Sequence, residues 1–121
     1  MPIHGTVSSA GEPLIVLETL PKRRKISLLI DTGFSGEMCL PLRTIEALEF
    51  EQYSREPFVL ADGRIVRADV YKGEIRWFNR RRVVEVIALE APRGLIGTQL
   101  LRECMLAVRF RRRQVRIVRE R

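Results

Sequence analysis

The residues best suited to chemistry form one short stretch, Asp31-Thr32-Gly33-Phe34-Ser35-Gly36, set between the apolar runs Ile26–Ile30 and Met38–Leu40. A run such as Ile26–Ile30 bounded by turn residues reads as a buried strand. A strand that ends in Asp31 carries a carboxylate out of a dry core, and a carboxylate is rarely buried without a partner. Placed at the edge of a cleft, such a group is a candidate for general acid–base work. Gly33 allows close backbone approach and Gly36 allows the chain to turn back. Asp, Thr and Gly are also ordinary turn residues, so the tripeptide taken alone reads equally as a hairpin turn.

A second stretch lies downstream, Gly94-Leu95-Ile96-Gly97-Thr98-Gln99-Leu100-Leu101. Together, in this order and at this separation, the two stretches resemble a protomer of the retropepsin-like aspartic proteases. The apolar-apolar-Asp-Thr-Gly segment looks like their active-site loop, and Leu95-Ile96-Gly97 is similar to the segment that runs into their C-terminal helix. The likeness extends over nearly the whole chain. It is nearest to small prokaryotic members whose loop reads Asp-Thr-Gly-Phe-Ser-Gly. The resemblance implies a mainly β fold, a closed barrel with one or two short helices and one lobe per chain.

Asp-Thr-Gly occurs once. Acid proteolysis needs two carboxylates on one water, one as base and the other protonated toward the scissile carbonyl. A chain with one motif reaches that pair only as a two-fold homodimer, which sets identical residues face to face across its axis. The resemblance implies the same assembly. It implies that Asp31 is the catalytic carboxylate, that Thr32 bonds across the dimer axis, and that the Gly33 N–H approaches the carboxylate. Ala61, Asp62 and Gly63 would form the tip of a flap over the cleft. Leu95, Ile96 and Gly97 would pack behind the loop, and Ile96 is counted with Phe34 and Ser35 among the substrate-binding residues. Phe34 stands where relatives commonly carry Ala or Ser, so specificity does not transfer. Retroviral proteases interleave both termini at the dimer interface, and an arginine-rich end does not fit that contact.

The elements that must position these residues are short. Ile3–Val7 and Leu14–Leu20 read as strands, and Pro21–Lys25 as a charged turn. Pro41 can open a helix over Leu42, Ile45 and Leu48, and Glu49–Arg55 reads as polar and irregular. Asp62-Gly63 between Phe58–Leu60 and Ile65–Val66 is a strong hairpin signal. Val66–Phe78 reads as a long strand with a bend at Gly73. Asn79–Arg81 turns it into Arg82–Leu89, whose apolar residues on both faces suggest a central strand. Thr98 is placed to cap a short helix through Glu103. Met105–Phe110 and Gln114–Val118 form a hairpin around Arg111–Arg113. Trp77 and Phe78 read as core.

At 121 residues the chain is expected to be one domain, 1–121. The net charge is +7, but residues 109–121 hold seven arginines and one glutamate, so the basicity belongs to the C-terminal strand or tail. Such a patch can attract nucleic acid. Phe110 is its one aromatic, whereas single-strand binders interleave aromatics for stacking. A basic nucleic-acid-binding barrel therefore ranks third, behind a protease and behind a protease-fold binding module without activity. No apolar run approaches the roughly 20 residues of a membrane helix. Met1–Gly5 lacks the features of a signal peptide, so a cytoplasmic location is expected. Cys39 and Cys104 sit in apolar stretches as buried thiols, not as a disulfide framework. One histidine, His4, and no paired-ligand spacing give no metal site, and no cofactor is expected. The expected partners are a second copy of the chain and a peptide substrate.

Overall fold

The computed structural model describes residues 1–90 and 92–120. Ten strands and one helix follow in order: β1 (Ile3–Val7), β2 (Pro13–Leu20), β3 (Arg24–Ile30), β4 (Met38–Leu40), α1 (Leu42–Leu48), β5 (Glu51–Val59), β6 (Ile65–Trp77), β7 (Arg80–Ala88), β8 (Gly94–Ile96), β9 (Cys104–Arg109) and β10 (Gln114–Arg119). They join one sheet in the order β5-β6-β7-β4-β8-β3-β2-β1-β10-β9. A further β2–β6 pairing closes the middle six strands into a barrel. Closure protects the edges of those six strands, while β5 and β9 remain the two ends of the sheet. The fold is mainly β with one lobe, as expected.

Alternation explains the core. Along β2, Ile15, Leu17 and Thr19 point inward, and the Thr19 hydroxyl is satisfied by donating to the Arg24 carbonyl at 3.1 Å. Leu28 and Ile30 of β3, Ile75 and Trp77 of β6, Val84 and Val86 of β7, and Val115 and Ile117 of β10 join the same cluster. Phe78 and Asn79 take positive φ, 51° and 63°, and make the tight turn between β6 and β7. Strand β7 is central, with β6 on one side and β4 on the other, although Val83 is exposed. The Phe50 ring lies against Gly73, where a Cβ would stand 2.5 Å from its Cε2. A bulky side chain thus approaches the strand backbone there.

Two expectations are corrected. The polar stretch read as irregular is largely strand, because β5 begins at Glu51 and pairs with β6 from Lys72 to Ile65. As the sheet's outermost strand it is mostly exposed, so it needs no apolar face. No helix forms over Thr98–Glu103, which is a run of turns. The Thr98 N–H is donated to the Phe34 carbonyl and the Gln99 N–H to the Gly36 carbonyl, so this segment is shaped by the loop it braces.

Candidate active site

Strand β8 is inserted between the strands on either side of the Asp31 loop. It runs parallel to β3, with Leu28 opposite Gly94 and Ile30 opposite Ile96, and antiparallel to β4, with Met38 opposite Ile96. Gly94 permits the insertion: a Cβ there would stand 2.6 Å from both Leu28 Cδ2 and Leu40 Cδ2. The loop between β3 and β4 is thereby pinned from beneath. The Asp31 N–H donates to the Ile96 carbonyl at 2.9 Å, and the Gly97 N–H to the Glu37 carbonyl at 3.0 Å. The Thr98 and Gln99 N–H groups add bonds of 2.9 and 3.2 Å to the Phe34 and Gly36 carbonyls.

On this base Asp31 sits half-buried, with Thr32, Gly33 and Ser35 exposed beside it. The Gly33 N–H donates to Asp31 Oδ1 at 2.9 Å, and the Phe34 N–H to the Asp31 carbonyl at 3.1 Å. The carboxylate is therefore oriented by backbone, and among the described residues its second oxygen accepts no hydrogen bond. Among the described residues no cation lies within salt-bridge distance of it. Phe34 is half-buried and its ring folds back over two glycines. A Cβ at Gly36 would stand 2.5 Å from its Cζ, and one at Gly97 2.6 Å from its Cδ2. The ring stiffens the loop and presents only its remaining face outward.

Ile96 requires a correction. Its side chain is fully buried, so it supports the loop from the core and does not line a peptide-binding surface. Leu95, its half-buried neighbour, is the more open of the two.

The hairpin signal at Asp62-Gly63 marks the turn between β5 and β6. The Gly63 N–H donates to the Leu60 carbonyl, with φ of 86° at Gly63, and the Leu60 N–H donates to the Arg64 carbonyl. Asp62 Oδ1 accepts the Arg64 N–H at 3.0 Å and Oδ2 accepts Arg64 Nε at 2.7 Å. The backbone bond from Arg64, then its side chain, hold the Asp62 carboxyl below its ordinary range. Ala61, Asp62 and Gly63 are thus an exposed tip, and Asp62 is occupied in shaping it. Val59 and Ile65 oppose each other just below, 72% and 70% exposed. A groove of about 430 Å³ lies at the root of this hairpin, lined by Pro41, Arg55, Arg67, Asp69 and Leu89; Asp31 is not part of its wall.

Two features of the site were not visible in the sequence. Glu37 ties the exit of the loop to β7: its Oε2 accepts Arg82 Nη2 and its Oε1 accepts the Glu85 N–H, each at 2.9 Å. Tyr53 on β5 donates its hydroxyl to Glu85 at 2.5 Å, under the ammonium of Lys72. Glu37, the second acid of the loop after Asp31, was the one signal available.

Among the described residues no cluster of three His, Cys, Asp or Glu side chains is arranged to hold a metal ion. No helix is long and apolar enough to cross a membrane among the same residues. Cys39 is buried and Cys104 half-buried, both as free thiols.

No protein-family model and no curated protein matches the sequence. Solved structures do match the fold. A retropepsin-like aspartic protease from Rickettsia conorii aligns with a TM-score of 0.73 at 16% identity, over 97% of this chain and 89% of that one. The EIAV protease complexed with the inhibitor HBY-793 aligns at 0.59 and 17% identity, over 80% of this chain and 91% of that one. The simian foamy virus (mac) protease aligns at 0.55 and 19% identity, over 74% and 91%. At these identities the likeness is one of architecture, and the architecture of this chain is that of the retropepsin-like aspartic proteases.

Proposed function

We propose that this chain is an aspartic endopeptidase that acts as a homodimer. The observation that carries the reading is Asp31 itself. It is brought out of the core by β3 and oriented by the Gly33 N–H, and it carries no cation partner among the described residues. A carboxylate left unneutralised on a rigid loop is suited to share a proton with a second carboxylate. One chain supplies one such group, so the second comes from a second copy. In the dimer one carboxylate takes a proton from the attacking water. Its mate, protonated, donates to the scissile carbonyl and stabilises charge as it develops there. Thr32, exposed beside the carboxylate, would bond across the axis, and Ala61–Gly63 would close over the peptide. A cytoplasmic site of action is part of the same proposal.

The experiment is digestion of a peptide library by native protein and by Asp31→Asn over a range of pH and protein concentration. The amide is nearly isosteric, so the variant should fold and lose cleavage. Native activity should be bell-shaped in pH, because only the singly protonated pair works. It should also follow the dimer fraction. A folded variant that cleaves as fast as native protein removes Asp31 from the chemistry.

A further inference from the structure

The barrel leaves strand β9 open. It is the last strand of the sheet, beyond β10. In an antiparallel ladder, opposed residues alternate between pairs that exchange hydrogen bonds and pairs that do not. The Glu120 N–H donates to the Glu103 carbonyl at 2.8 Å, and this pair continues the register of Met105 with Val118, Ala107 with Arg116 and Arg109 with Gln114. Those odd-numbered residues direct their backbone groups to β10. Leu106 and Val108 therefore turn their N–H and C=O groups to the open side.

The side chains point the same way. Leu106 and Val108 pack on the core yet stay half-buried, while their β10 partners Ile117 and Val115 are 0% and 1% exposed. The core face of the sheet thus runs out uncovered at β9. On the outer face Met105 is 44% exposed. Edge strands are ordinarily protected by charge, proline or a bulge. Cys104–Val108 has no charged residue and no proline, and its ladder with β10 runs without a register shift.

We infer that this edge pairs with β9 of a second copy, antiparallel about a two-fold axis at Leu106. The inference rests on the homodimer reading and deepens it, since a site with one carboxylate is incomplete without the partner. Leu106 then exchanges backbone bonds with its own equivalent, Cys104 lies opposite Val108, and Met105 opposite Ala107. The same register sets Glu103 opposite Arg109 at both ends of the new ladder. Within one chain these two residues stand at opposite ends of the strand, roughly 20 Å apart at 3.3 Å per residue. Their attraction exists only between copies. Exchange of N-terminal strands is not needed, because β1 is already held between β2 and β10 of its own chain. The concentrated charge also avoids the axis: Arg111–Arg113 occupy the β9–β10 turn, beyond the paired segment. Position is transmitted to the site by the segment 98–103, bonded to Phe34 and Gly36 at one end and entering β9 at the other.

Glu103 and Arg109 are both exposed, so their charges can be exchanged without disturbing the core. Sedimentation equilibrium and cleavage are compared for native protein, Glu103→Arg, Arg109→Glu and the double exchange. Each single reversal sets like charges opposite each other twice per dimer. It should raise the dissociation constant by about tenfold, and the double exchange should restore it to within about threefold. Hydrogen exchange supplies a readout free of substitution. Leu106 and Val108 amides should slow as concentration rises through the dimer transition, while Met105 and Ala107 stay protected throughout. Unchanged dissociation constants, absent rescue, or unslowed Leu106 and Val108 amides in a protein that still dimerises and cleaves would reject this interface and leave the homodimer standing. A protein that cleaves while monomeric at every concentration would reject both.

Discussion

Gly97→Ala tests whether the Asp31 loop is held from beneath as the geometry indicates. A Cβ at Gly97 would stand 2.6 Å from Phe34 Cδ2 and nearer still to the carbonyl oxygens of Phe34 and Gly36. Those oxygens accept from Thr98 and Gln99, so the clash is with backbone already committed to bracing bonds. Relief requires the segment and the loop to separate. That weakens three bonds, Gly97 to Glu37, Thr98 to Phe34 and Gln99 to Gly36, each worth about 1 kcal/mol net. Keeping the bonds instead means overpacking, at about 1–3 kcal/mol. Either route gives a loss of about 1–3 kcal/mol. At about 4 °C per kcal/mol for a domain of this size, Tm should fall by about 4–12 °C. The control is Gly33→Ala, whose Cβ would meet only Asp31 Oδ1, at 3.2 Å. That side chain can shift by a few tenths of an ångström, so stability should change by less than about 1 kcal/mol. The shift displaces the carboxylate, so cleavage should suffer more than stability. Thermal denaturation and kcat/KM on one peptide separate the two effects. Equal, small changes in Tm for both variants would refute the bracing argument.

Two further predictions concern titration. Burial pushes the Cys39 thiol up to about 11, so at pH 8 its thiolate fraction is about 0.001, against roughly a quarter for an ordinary thiol; Ellman's reagent should label it over 100-fold more slowly in native than in unfolded protein, and equal rates would contradict its placement. The thiol form is the one favoured on folding, so this contribution to stability holds below the ordinary value and is lost as pH rises through about 11. Tyr53 is pushed up to about 12, first by the bond it donates to Glu85. Its contribution is intact below pH 10 and lost as pH climbs from 10 to about 12. Phenolate absorbance should show Glu85→Gln bringing that titration back toward 10, and no movement would mean the bond does not form in solution.

What the sequence revealed was local. The Asp31 loop, the Asp62-Gly63 hairpin and the C-terminal hairpin are each specified by neighbouring residues, and each lies where the residue pattern put it. The misreadings share a cause in distant partners. Glu51–Arg55 looks irregular because an edge strand carries no apolar face, and its strand character comes from Asp69–Lys72. Thr98 resembles a helix cap until Phe34 takes its N–H. Ile96 is counted toward substrate through the resemblance, and its burial depends on Ile30 and Met38, which pair with it from either side. Glu37 was legible as a charge but not as an anchor, since its acceptor role depends on Arg82 and Glu85.

The insertion of β8 between β3 and β4 also carries a consequence for the order of events in folding. The β5–β6–β7 meander pairs neighbours in sequence and can form early, since short loops close at low entropic cost. The pairing of Leu28–Ile30 with Gly94–Ile96 spans more than half the chain, and such contacts form slowly. Asp31 thus gains its bond to the Ile96 carbonyl only after Gly94–Ile96 have been made and docked. During synthesis a growing chain exposes a finished hairpin long before it possesses an organised carboxylate. A chain truncated before Gly94 would keep Asp31 yet lack its support. Timing is therefore built into the topology: the residue proposed to cut peptide bonds lacks its support until Gly94–Ile96 have been made.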